Sequence, residues 1–266
     1  MKLALSTLTC GKWGLSEILE HSEGIDAIDF RGLAGEMKLW ETPEFRLDRV
    51  AATLARIHGA GLTVSGISTS VRIDQTDPPG EDRWAPEVQR SVALAKMCGA
   101  GHIRVFAGNK AAGPPDSAER RVIVDQYRRI CESVSDAGVS VLAETHDVCA
   151  GSSVLAEIVS LVEHPLAGII WDIRHPFQKA SESYEQTANV LKPFLKLVHV
   201  KDFSADGEEL VQFGTGHLRP DHLAQLLEAC GYDGFLTLEQ PRVDATGRPE
   251  PALNIRGFVE TFGKYR

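Results

Sequence analysis

Four short apolar runs in the second half of the chain end on groups that bind protons or metal ions. VLAETHD (Val141–Asp147) closes on Glu144 and His146, and IIWDIRHP (Ile169–Pro176) closes on Asp172 and His175. LVHVKD (Leu197–Asp202) carries His199, Lys201 and Asp202, and FLTLEQP (Phe235–Pro241) closes on Glu239. A buried strand gains nothing from a charge at its C-terminal end, so four such endings in series predict a site assembled from strand ends. The most economical joint use of Glu144, Asp172, His199 and Glu239 is one divalent metal ion. Carboxylate oxygens with a single imidazole suit Mn²⁺, Mg²⁺ or Co²⁺ better than a structural zinc, with Mn²⁺ the first expectation. Taken singly, each carboxylate reads better as a helix cap or a surface ion pair, and it is the four together that favour the ion. Side chains alternate along a strand, so Glu144 and His146 share a face, as do Leu197, His199 and Lys201. His146 and Lys201 are therefore expected beside the same cavity.

Such an arrangement needs strands whose ends converge, and helix-length segments do separate the runs. Upstream, Lys2–Cys10 reads as a first strand, Gly24–Gly32 as a second ending in Asp29 and Arg31, and Leu62–Ser70 as a third, weakened at Gly66. HIRVFAG (His102–Gly108) reads as the fourth. Helical spacing covers Leu15–Ser22 with Ser16 as the cap candidate, Pro43–His58, and Glu87–Cys98. It continues over Ala118–Ala137 capped by Ser117, Ser152–Val162 capped by Ser152 or Ser153, and Ser183–Leu191. Pro220–Cys230 and a last helix around Ala252–Phe262 complete the set. Eight strands alternating with helices predict a single (β/α)8 barrel domain over residues 1–266 with a C-terminal helical tail. A doubly wound open sheet is the competitor, but TLTCGKWG after the first strand supplies no G-x-G-x-x-G phosphate turn.

The bulk composition narrows the partners. The 266 residues carry a net charge of −9, 43% hydrophobic and 24% charged residues. That balance argues against nucleic acid as the main partner, which would need clustered Lys and Arg. No run approaches the ~20 apolar residues of a membrane span, and MKLALSTLTC lacks the pattern of a signal peptide. The five cysteines, Cys10, Cys98, Cys131, Cys149 and Cys230, include no CxxC pair. This usage fits a reduced, cytoplasmic chain.

The four runs also resemble the xylose isomerase-like barrel superfamily of sugar (phosphate) isomerases and epimerases, to which endonuclease IV is related. Its recurrent features are a Glu ending strand five, an Asp-x-x-His ending strand six, a His-Val-Lys-Asp run on strand seven and a Glu ending strand eight. Here these fall on Glu144, on Asp172 with His175, on His199–Asp202 and on Glu239. GTGHLRPDHLAQLLEACGYDGFLTLEQ is similar to the closing segment and HIRVFAG to the fourth strand. The resemblance implies that Glu144, Asp172, His199 and Glu239 hold one divalent ion. The ion would polarise a substrate carbonyl and its neighbouring hydroxyl and stabilise an enediolate. Glu144 and Glu239 would exchange the proton of the adjacent carbon as base and acid. His146 and His175 would bind substrate hydroxyls, and Lys201 would stabilise oxyanion character or pair with Asp202 or a ligand carboxylate. Arg31 and Arg104 are candidates for an acidic or phosphorylated substrate, with a structural ion pair the preferred reading of Arg104.

The implied activity is isomerisation or epimerisation of a small sugar, polyol or other hydroxy-carbonyl compound. The same first step could expel a β-hydroxyl, making the protein a dehydratase of an inosose or a dehydroshikimate-like ring. A non-catalytic accessory barrel and an endonuclease IV-like repair enzyme are the readings from other classes. The latter would need further His/Asp ligands and a basic face. Specificity is expected in the loops Asp74–Pro86, Asn109–Asp116 and Gly207–His217, where His217 and Arg219 could close over a substrate. Trp13, Trp40 and Trp84 serve either a pocket wall or ordinary packing, and a homo-oligomer is possible.

Overall fold

A computed structural model describes residues 1–74, 81–108, 113–241 and 250–266. Eight parallel strands, β1 (Lys2–Ser6), β2 (Ala27–Phe30), β3 (Thr63–Arg72), β4 (His102–Phe106), β5 (Ser140–Glu144), β6 (Ala167–Asp172), β7 (Leu195–Val200) and β8 (Phe235–Leu238), form one closed barrel in sequence order. Strands of such a barrel are covered on both faces, which explains why IIW, LVHV and FLTL are almost uninterrupted apolar runs. By contact density the chain divides into two units, Met1–Ser65 with Leu197–Arg266, and Gly66–Lys196.

In the Gly66–Lys196 unit, β4 pairs with β5 from His102↔Ser140 to Phe106↔Glu144, and β5 with β6 from Val141↔Ala167 to Glu144↔Ile170. Gly66 is explained by close approach, because a Cβ there would lie 2.0 Å from the His102 imidazole. The buried Tyr127 hydroxyl lies 2.7 Å from the Val141 carbonyl and accepts from the Gly168 N–H at 3.1 Å, tying β5 to β6. Helices α3 (Ala85–Cys98), α4 (Ser117–Ser133), α5 (Ser152–Val162), α6 (Arg174–Ala180) and α7 (Tyr184–Leu191) belong to this unit. In the other unit β1 pairs with β2 and β8, β7 pairs with β8, and the helices are α1 (Leu15–Glu20), α2 (Val50–Gly59), α8 (Pro220–Ala229) and α9 (Pro251–Phe262).

Several local expectations need correction. β1 stops at Ser6, and Thr7–Cys10 is a 3-10 turn in which the Leu8 N–H donates to the Ser6 hydroxyl. The Pro43–His58 helix begins only at Val50. Pro43–Phe45 is a separate 3-10 turn, and Leu47 is 82% exposed, so its helical spacing carried no burial. Asp116, not Ser117, caps α4 in a reciprocal box with Glu119, and the helix ends at Ser133. Gly14 replaces Ser16 as the cap of α1 and Gly151 replaces the serines at α5. IIWDIRHP leaves the strand at Asp172, and His175 and Pro176 sit in the first turn of α6, where proline is tolerated. Parts of two expected specificity loops, residues 75–80 and 109–112, lie outside the described residues. All five cysteines are free; burial pushes the thiols of Cys10, Cys131 and Cys149 up to about 12.

Candidate metal centre

Strand geometry brings the chemistry to strand ends. Glu144 and Asp172 are the last residues of β5 and β6 and are 1% and 0% exposed. Arg104 of β4 is also buried, with its Nη1 3.4 Å from Glu144 Oε2 and its guanidinium 3.8 Å from the Phe106 ring centre. Its preferred sequence reading was this internal ion pair. Asp172 Oδ1 accepts the Arg174 N–H at 3.0 Å, and Oδ2 lies 3.6 Å from His175 Nε2. The Thr145 hydroxyl accepts from the Asp172 N–H at 2.9 Å, fixing the strand end. His146 packs edge-on against His175 at 4.3 Å and against Phe106 at 5.1 Å.

In the other unit His199 is fully buried on β7, its Nδ1 3.6 Å from Glu239 Oε2. Lys201 Nζ lies 2.8 Å from the same oxygen. Of the pairings anticipated for Lys201, the ligand carboxylate is therefore the one formed and Asp202 is not. Asp202 does something the sequence did not announce. Its Oδ1 accepts the N–H groups of Phe203 (3.0 Å) and Leu218 (3.1 Å), and its Oδ2 those of Gly214 (2.8 Å) and Gly216 (2.9 Å). Gln240 completes the clamp: its carbonyl accepts the Asp202 N–H, and its amide donates to the Asp202 and Val211 carbonyls. Asp202 is marked in the sequence by the His-Val-Lys-Asp run, and Gln240 only by its place one residue beyond Glu239.

The ligand atoms of Glu144, Asp172, His199 and Glu239 lie within 4.8 Å of one another, and all four residues are buried. Like charges brought together away from water repel. Arg104 lies beside Glu144 and Lys201 beside Glu239, which offsets part of that repulsion, and a bound cation would offset it further. Three hard oxygen donors and one imidazole fit such an ion, so the cluster could hold a metal.

The other predicted residues fall at varied depths. Arg31 follows β2, half-buried, and its N–H bonds the Thr7 hydroxyl at 2.8 Å. His217 is half-buried and Arg219 exposed. Trp84 packs inside, donating to Gln126 at 2.6 Å, whereas Trp13 stacks on the exposed His21. Among the described residues no helix is long and apolar enough to cross a membrane.

The family model described as xylose isomerase-like TIM barrel matches residues 20–258. The chain belongs to this family. A curated relative, 3-dehydroshikimate dehydratase of Bacillus anthracis, is 28% identical over 126 residues, 47% of this chain and 45% of its own length. The chain thus matches less than half of that relative. Among solved structures, the probable 3-DHS dehydratase AsbF of B. anthracis superposes with a TM-score of 0.79 at 19% identity, covering 99% of each chain. The 3-keto-D-glucoside 4-epimerase YcjR of E. coli gives 0.75 at 16%, covering 100% of this chain and 99% of that one. The IOLI protein with a bound zinc atom gives 0.78 at 18%, covering 100% and 96%. At these identities the solved structures attest the barrel fold alone.

Proposed function

We propose that this protein is a divalent-metal-dependent enzyme that moves a proton on the carbon beside a carbonyl of a small hydroxy-carbonyl substrate, as an isomerase or epimerase. The observation that carries the reading is the buried cluster of three carboxylates and one imidazole within 4.8 Å. Glu144, Asp172, His199 and Glu239 would hold the ion, which when bound supplies Lewis-acid polarisation of the carbonyl. Glu144 and Glu239 are the proton carriers. Each has a cation beside it that orients its carboxylate, Arg104 at 3.4 Å from Glu144 and Lys201 at 2.8 Å from Glu239. His146 and His175 offer ring nitrogens to substrate hydroxyls. Mn²⁺ is the proposed ion, and the buried donor set equally admits Mg²⁺ or Co²⁺.

A dehydratase is the second reading, favoured by the 28% identity to the dehydroshikimate enzyme. Both share the proton abstraction, and they part only in whether a β-hydroxyl then leaves. The test is metal content of wild type beside His199→Ala, followed by a D₂O screen of keto sugars, inososes and 3-dehydroshikimate. One ion per chain, lost in the variant, with metal-dependent deuterium incorporation into a substrate C–H, is the expected result. A metal-free wild type would overturn the reading.

A further inference from the structure

One guanidinium beside this centre has no role in holding the ligands. Arg72 ends β3 with its side chain 34% exposed, and its guanidinium lies 5.0 Å from the centre of the Phe106 ring, the ring that Arg104 also meets. Both of its hydrogen bonds among the described residues leave from Nη1, to the Gly108 carbonyl at 3.3 Å and to Asp147 Oδ2 at 3.4 Å. Among the described residues Nε and Nη2 make no hydrogen bond and form a planar pair of donors, the geometry that grips two oxygens of one acid group. Asp147 holds this arrangement in a left-handed backbone conformation, φ +49°, uncommon for a residue other than glycine. Its carboxylate also lies 3.0 Å from His146 Nδ1. Backbone strain of this kind is kept where surrounding structure enforces it, often at binding sites. The His146 imidazole, followed by Arg72, keeps the Asp147 carboxyl below its ordinary range, so it serves as a fixed anion that aims both neighbours.

We infer that Arg72, aimed by Asp147 beside His146, receives an acid group of the substrate, which makes the substrate a small hydroxy- or keto-carboxylic acid rather than a neutral sugar. This rests on the reading of the metal centre above. The link to that centre runs through side chains: His146 packs on His175, which touches Asp172, and Arg104 sits between Phe106 and Glu144. The local charge selects the acid. Arg104 is engaged by Glu144, and the Asp147 carboxylate offsets part of the Arg72 charge, so Arg72 offers an incoming anion no more than one positive charge. That suits the single charge of a carboxylate and opposes the higher charge of a phosphate ester.

The test uses the full-length, metal-loaded protein and three probes: shikimate, its methyl ester and D-ribulose 5-phosphate. Shikimate is a ring hydroxy acid with no ketone to react. Calorimetric titration is expected to show shikimate binding roughly tenfold to a hundredfold tighter than the ester, the worth of a charged hydrogen-bond pair. Arg72→Met should erase that preference with metal content unchanged, and Arg72→Lys should keep part of it. Equal affinity for acid and ester in the wild type overturns the inference, as does tighter binding of the phosphate. The wild-type comparison decides even where a variant folds poorly. Metal analysis of the same sample separates this failure from failure of the centre: bound metal without acid preference removes only the substrate class.

Discussion

The two units of the chain reach similar chemistry by different construction. In Gly66–Lys196 the ligand carboxylates rest on side chains. Arg104 meets Glu144, His175 meets Asp172, and Phe106, His146 and Arg72 continue the cluster outward to partial exposure. In the other unit the strand ends rest on the backbone. Asp202 takes four loop N–H groups, Gln240 bridges strand end and loop, and the Gln240 N–H bonds the Thr9 hydroxyl, which donates to the Leu238 carbonyl. The first construction presents varied, partly exposed donors and suits recognition. The second is a frame that keeps Lys201 and Glu239 in register. Pairing one buried glutamate with one buried cation is common to both.

The largest effects should test what the units share. Glu144→Gln and Glu239→Gln are each expected to lower turnover by about 10²–10⁴-fold, the usual worth of a general acid or base. Steady-state kinetics on metal-loaded protein checks this, and full turnover in either variant would make the two glutamates unequal. Next comes the ion pair of the Gly66–Lys196 unit. Arg104→Met strands a buried carboxylate and should destabilise by roughly 3–5 kcal/mol in urea unfolding, less when metal is added. Asp202→Asn removes the charge that gathers four N–H groups, and should cost about 2–3 kcal/mol. A loss no larger than that of a surface substitution would refute the frame. The smallest effect is a pH dependence. The Asp147 carboxyl is lowered from its ordinary 3.8, so its contribution is complete above that value and fades as pH falls through the depressed one. Asp147→Asn should flatten the acid limb of a thermal-unfolding pH series.

Much of this was legible in the sequence because a strand ending on a charge is a local signal. Glu144, Asp172, His199 and Glu239 each stand at the end of an apolar run or within it, and the alternation of strands with helices indicated the barrel. Asp202 was legible only as part of a motif. Its partners are backbone N–H groups as far as sixteen residues away, and a backbone group leaves no mark in residue type. Arg72 was silent for a related reason: Phe106 and Asp147 meet it only through pairing of distant segments. Helix α6 was hidden by Pro176, which normally signals a break yet is harmless in a first turn. The false helix over Pro43–Phe45 came from apolar spacing in which Phe45 is buried but Leu47 faces water.

The carboxylate of Asp202 recognises its loop by main chain alone. Side chains between Phe203 and Leu218 can therefore change over generations without disturbing the anchor. Gly214 and Gly216 are exceptions: Gly214 holds φ +91°, which favours glycine, and a Cβ at Gly216 would lie 2.3 Å from Asp202 Oδ1. A surface segment held in this way is raw material for evolution: its shape is inherited while its chemistry drifts, and the strand ends that anchor it need not be rebuilt.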